Sequence, residues 1–128
     1  MTDANTNFER HELLRILIVE DEWLVALDLE SILEDAGYSV CGPANTVETA
    51  LELIESERVD LGLLDINLGK KTSYPIAAAL REKAKPFAFL SGHSDAHIDS
   101  EFRDAPLISK PVEPKRLINH IGKLTHRA

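Results

Sequence analysis

Four apolar runs in this 128-residue chain each stop at a residue able to do chemistry. Arg15-Ile16-Leu17-Ile18-Val19 stops at Glu20-Asp21-Glu22, and the run Val59 to Leu64 stops at Asp65. Pro86-Phe87-Ala88-Phe89-Leu90 stops at Ser91-Gly92, and Pro106-Leu107-Ile108-Ser109 stops at Lys110-Pro111. Carboxylates gathered in one cleft repel each other, so a positive group must offset them or a proton must be retained. A hard divalent cation meets that need through oxygen ligands, and Mg2+ favours one or two carboxylates, retained waters and a substrate phosphate. Beside such a cation, one carboxylate can attack a phosphoryl group and form an aspartyl phosphate. The charge on the phosphoryl oxygens is then met by the metal and by positioned donors, here the Lys110 ammonium and the Ser91 hydroxyl. Each residue alone has a plainer reading. Asp65 suits a strand terminus, Glu20-Asp21 the first turn of a helix, Ser91-Gly92 a turn and Lys110-Pro111 a loop entry. Their joint fall at the ends of successive runs, in order, argues for a site.

The runs must be neighbouring strands for these residues to meet. Five short β-like runs are present: the four above and Tyr38 to Cys41, which Gly42-Pro43 stops. Helical stripes lie between them. Val25, Leu29, Ile32, Leu33 and Ala36 form one, closed by Gly37 as a C-cap. Val47, Ala50, Leu51 and Ile54 form the next, with Asn45 and Glu48 spaced as a capping box. Pro75 leads a third through Ile76, Ala79 and Leu80. Asp95 to Phe102 is weakly helical, and Pro114 opens a last helix with Leu117, Ile118, Ile121 and Leu124 on one face. Five strands alternating with five helices predict an α/β fold: a doubly wound five-stranded parallel sheet of order 2-1-3-4-5, helices on both faces, flavodoxin-like. Such sheets work in the crevice beyond the carboxyl ends of the strands, at the point where strand order reverses. That point lies between the first and third strands, at Glu20-Asp21 and Asp65, with Ser91 and Lys110 at the ends of the next two.

Composition narrows the class. The length fits one domain, read as residues 14–125 behind a flexible polar tail at 1–13. Cys41 has no partner in the chain, which excludes an internal disulfide and suits a buried strand position in a reducing compartment. No apolar run is longer than the five residues of Ile76 to Leu80, far short of the roughly 18 residues of a membrane span. The N-terminus has no secretory pattern, so a soluble cytoplasmic protein is expected. Net charge is −8, with 15 acids and 3 bases in residues 1–64, which weighs against nucleic acid as a partner. Trp23 is expected to pack at a helix start, and His93 to sit in an exposed loop. The bases Lys70, Lys71, Lys83 and Lys85 read as solvated or as part of a docking face.

Ile16 to Asp21, Leu63-Leu64-Asp65-Ile66-Asn67, Leu90-Ser91-Gly92 and Ser109-Lys110-Pro111 resemble the four signature segments of the receiver domain of bacterial two-component response regulators. The resemblance covers roughly residues 14–125. It implies Asp65 as phospho-acceptor, Glu20, Asp21, Asp65 and the Asn67 backbone carbonyl as Mg2+ ligands, Ser91 as switch hydroxyl, Lys110 as phosphoryl-binding cation, and a cis Lys110-Pro111 bond. Pro86 to Gly92 is similar to the Pro-Phe-x-Phe-Ala-Thr-Gly stretch of alphaproteobacterial single-domain receivers, the FAT GUY group. Leu107 stands where most receivers carry Tyr or Phe, so the response is expected through Ser91 and the Gly92-His93-Ser94 loop. Gly69 to Tyr74 lacks the usual proline-containing loop after the Asp.

The function this implies is a stand-alone receiver without an output domain: a signalling protein rather than an enzyme, phosphorylated on Asp65 by a sensor histidine kinase or histidine phosphotransferase. It would act on an unknown downstream protein or pass the phosphoryl group on, without nucleic acid or membrane, as a monomer or weak dimer. The alternative is a receiver-like binding module that works without phosphorylation. A dehalogenase-type aspartyl-phosphate hydrolase needs an acid where Asn67 stands, and a flavin protein needs a phosphate-cradling loop where Glu20-Asp21-Glu22 would repel the ligand.

Overall fold

The computed structural model describes residues 14–92 and 98–125. Its centre is built from the runs that are apolar without alternation. β1 (Arg15–Val19) is followed by helix α1 (Trp23–Asp35), then β2 (Ser39–Ala44) and helix α2 (Val47–Ser56). β3 (Leu61–Asp65) leads into a small hairpin, β4 (Asn67–Leu68) and β5 (Lys71–Thr72), and then helix α3 (Tyr74–Glu82). β6 (Phe87–Ser91), β7 (Leu107–Ser109) and helix α4 (Pro114–Thr125) complete the described elements. Five strands form one parallel sheet in the order β2-β1-β3-β6-β7. With β6 and β7 as the fourth and fifth strands of the expected sheet, this is the order 2-1-3-4-5.

Alternate side chains of the same strands feed two cores. Leu17, Val19, Leu64 and Phe89 pack with α2 and α3, while Ile16, Ile18, Leu63 and Leu90 pack with α1 and α4. Residues of β1, β3 and β6 are almost wholly buried, as both faces being covered by helices requires. No helix among the described residues is long and apolar enough to cross a membrane.

The structure departs from the sequence pattern at five places. First, Gly42-Pro43 does not stop β2. The strand runs on to Ala44 because Gly42 adopts φ +91° and one extra residue bulges opposite β1, between the pairs Leu17–Cys41 and Val19–Ala44. Second, α2 begins at Val47, so Thr46, not Asn45, is the cap: its Oγ1 accepts from the Thr49 N–H at 3.1 Å. Glu48 is thereby free to pair with Lys71 at 2.8 Å. Third, residues 67–72 form the β4–β5 hairpin. Fourth, the weak stripe at 95–102 yields, among the described residues, only a single 3-10 turn at Ser100–Phe102. Four α-helices are therefore described, not five. Fifth, Trp23 does not pack; it is 67% exposed, beside exposed Leu24 and Leu27. The tail at 1–13 and positions 93–97, with His93, lie outside the described residues. Cys41 is buried as expected, and burial raises its thiol pKa.

Gly42 is the position most constrained by backbone. A Cβ there would lie 2.8 Å from the Ala44 nitrogen and 3.2 Å from the Ile18 carbonyl oxygen, on top of the unfavourable φ. Gly42→Ala is expected to destabilise the protein by about 1–3 kcal/mol, measured as a lower urea midpoint at unchanged m-value.

Candidate functional site

The sheet register brings the strand ends level. Val19 pairs with Leu64, Asp65 with Leu90, and Ser91 with Ser109, so the residues following β1 and ending β3, β6 and β7 share one edge. Loop hydrogen bonds continue the ladder past the strands. The Glu20 N–H donates to the Ala44 carbonyl at 2.9 Å, Ile66 N–H to Leu90 at 3.2 Å, and Lys110 N–H to Ser91 at 2.8 Å. The site thus stands on backbone that the sheet already fixes. The Lys110-Pro111 bond is cis, as the resemblance implies.

Glu20, Asp21 and Asp65 each offer a carboxylate oxygen within 4.8 Å of the others. Glu20 is 1% exposed and Asp65 9%, whereas Asp21 is at the surface. Lys110 supplies the offsetting charge. Its Nζ lies 2.9 Å from Glu20 Oε1, 3.2 Å from Asp65 Oδ2 and 3.7 Å from Glu22 Oε1. The Glu22 N–H caps Glu20 Oε2 at 3.1 Å. The buried Glu20 Oε1 has the Lys110 ammonium as its counter-charge. Burial raises the Glu20 carboxyl above its ordinary pKa; Lys110 offsets part of this, and Asp65 adds to it. Burial alone would lower the Lys110 pKa, but Glu20 and Asp65 outweigh it and carry the ammonium above its ordinary value. Three hard carboxylate donors within 4.8 Å of one another, offset by a single ammonium and open on the Asp21 side, fit a Mg2+ ion better than a softer metal. Ser91 is nearly buried at the end of β6.

The expected residues therefore gather: Glu20, Asp21, Asp65 and Lys110 are in one cluster, and Ser91 ends the adjacent strand. Asn67 opens the hairpin, exposed, two residues past Asp65. Several participants were not singled out from sequence. The Gly69 N–H donates to Asp21 Oδ2 at 3.0 Å, across 48 residues. Its signal was Gly-Lys between two short β-capable pairs, too brief to distinguish from a loop. A groove of about 330 Å³ between α1 and the loop after β7, lined by Leu24, Asp28 and Lys110 among others, leads away from the cluster. Residues 99–102 are tied to α3. Tyr74 stacks on Phe102 with centroids 5.3 Å apart, and its hydroxyl accepts from the Asp99 N–H at 3.0 Å. Arg81 lies over Phe102 at 4.8 Å and donates to the Glu101 carbonyl at 3.0 Å. Of the four lysines weighed as a docking face, Lys71 and Lys83 pair instead with Glu48 and Glu55 of α2.

A parallel sheet in this order, with acids and a lysine at the switch point, is the flavodoxin-like architecture with an acidic pocket at its carboxyl edge. The family model for the response regulator receiver domain matches residues 16–122, and the chain belongs to that family. SdrG from Sphingomonas melonis Fr1 superposes with a TM-score of 0.80 at 40% identity, over 90% of this chain and 98% of that one. The resemblance to the single-domain group read from Pro86 to Gly92 is borne out there. PdtaR of Mycobacterium tuberculosis, a transcriptional regulatory protein, is 30% identical over 89% of this chain and 56% of its own. PhyR of Methylorubrum extorquens, a phyllosphere-induced regulator, is 38% identical over 77% of this chain and 39% of its own. The chain spans about half the length of the curated relatives it matches.

Glu20 gives the site a testable pH signature. A folded-state pKa above the unfolded one means the folded protein holds that proton more tightly. The stability this brings is fully present below the unfolded value and lost as pH rises through the folded one. Glu20→Gln, which keeps the neutral form, is expected to raise the melting temperature of the metal-free protein at neutral pH, with the gain shrinking in acid. Thermal unfolding in chelator across pH checks this; a variant less stable at neutral pH would contradict it.

Proposed function

We propose that residues 14–125 form a receiver that accepts a phosphoryl group on Asp65 from a phosphohistidine of a sensor kinase or phosphotransferase. The observation that carries the reading is Asp65 itself: a nearly buried carboxylate at a strand end, 3.2 Å from the Lys110 ammonium and clustered with Glu20 and Asp21. An Asp65 oxygen attacks phosphorus as the P–N bond to the donor imidazole breaks, and the imidazole takes up a proton as it leaves. Lys110 moves from its carboxylates toward the new phosphoryl oxygens, and the Ser91 hydroxyl donates to another. Glu20, Asp21, Asp65 and the Asn67 carbonyl would hold Mg2+, which when bound neutralises the acids and draws charge from the transferring group.

Trp23, Leu24 and Leu27 form an exposed apolar surface on α1 beside the groove that leads to Lys110. Such a surface next to the acceptor suits a docking protein donor. A stand-alone role, with output through protein contact or onward transfer, is supported by the match to SdrG over 98% of its length. The response is read from Ser91 into the segment that Tyr74 and Arg81 hold, since Leu107 provides no ring to move. A hydroxyl bond to a charged acceptor is worth on the order of 1.5–3 kcal/mol, enough to shift a nearly balanced loop.

Acetyl phosphate with Mg2+ is expected to add one phosphoryl group by intact mass, and Asp65→Asn to lose it. Asp21→Ala should weaken Mg2+ binding and slow phosphorylation together. With no adduct from small-molecule or kinase donors, the phosphorylation-independent binding module takes this reading's place. Ser91→Ala should remain phosphorylatable yet blunt the amide shifts that beryllofluoride causes across residues 91–110; a full response in that variant would remove Ser91 from the route.

A further inference from the structure

We infer that the backbone N–H of Gly69, at the turn of the β4–β5 hairpin, is a positioning donor that fixes the Asp21 carboxylate for the cation. The inference rests on the metal site proposed above and concerns what orders its one exposed wall.

Glu20 and Asp65 are held by burial and by Lys110, but Asp21 is at the surface, on the loop between β1 and α1. Among the described residues its polar partner is Gly69, whose N–H donates to Oδ2 at 3.0 Å. A surface carboxylate left free loses rotamer entropy when a cation captures it. A charge-assisted bond to one oxygen removes that loss beforehand and leaves the other oxygen for the metal.

The donor is held on an anchored element. Leu68 is buried in the core beside α2 and α3, and the Ser73 N–H closes the base of the hairpin on the Ile66 carbonyl at 2.9 Å. Asn67 pairs with Thr72 and Leu68 with Lys71, while the Lys71 ammonium grips Glu48 of α2 at 2.8 Å. Gly69 turns the chain at φ +64°, and a Cβ there would meet nothing within 4 Å. A proline at position 69 would have no N–H to give and could not adopt that φ.

The decisive variant removes only the N–H. Replacing Gly69 by glycolic acid, an ester in place of the amide, keeps the turn's freedom at positive φ. Gly69→Asn keeps the donor and tolerates the left-handed conformation. Mg2+ titration followed by Trp23 fluorescence is expected to show binding about 10-fold weaker in the ester protein and near wild type in Gly69→Asn. Equal or tighter binding by the ester protein would overturn the inference and leave the metal site standing. Wild-type protein that binds no Mg2+ would overturn both. If the ester protein does not fold, amide exchange of the wild type decides: Gly69 should stay protected when Mg2+ binds, and loss of protection on binding would overturn the inference.

Discussion

One ammonium group has to balance the acids that the sheet places together. Lys110 lies within 4 Å of Glu20, Asp65 and Glu22, and Asp21 stands in the same cluster without an ion pair among the described residues. Like charges this close cannot all persist in a partly buried site without compensation. The raised pKa of Glu20 and the raised pKa of Lys110 are two sides of that constraint. The arrangement leaves an unmet demand for positive charge, of the kind a divalent cation can satisfy. Sites of this kind give up stability for function.

The fold exists to maintain that juxtaposition. Buried aliphatic strands on both sides of the switch point make the backbone under Glu20, Asp65, Ser91 and Lys110 continuous with the ladder. Each carboxylate is then oriented by a different device. Glu20 is capped by the Glu22 N–H, Asp65 by Lys110, and Asp21 by the hairpin turn. The aromatic contacts of Tyr74 and Phe102 and the two hydrogen bonds at Asp99 and Glu101 tie residues 99–102 to α3.

The strands, their order and the site cluster were legible because each rests on a strong local signal: an unbroken aliphatic run ending in a polar residue. Boundaries failed where a single backbone feature overrode composition. Gly42-Pro43 reads as a stop, yet a positive φ and a bulge carry β2 through it. Asn45 and Glu48 have the capping spacing, but the helix starts one residue later and Thr46 caps it. The hairpin at 67–72 is held by contacts 23 and 48 residues away in sequence, to Glu48 and Asp21, which no local pattern contains. Trp23 was expected to pack at the helix start; it is exposed beside Leu24 and Leu27, while Ala26, Leu29 and Leu33 face the core.

In the proposed function, Lys110 is a counter-charge shared among carboxylates and transferable to a phosphoryl group. The side-chain nitrogen of Lys110 can be followed directly by NMR in metal-free protein, with Mg2+, and with Mg2+ and beryllofluoride. The ammonium resonance is expected to move when Mg2+ displaces it from the acids, and to move again with slower proton exchange when the anion arrives at Asp65. A Lys110 resonance unchanged through both additions, while the amides around Asp65 respond, would contradict it.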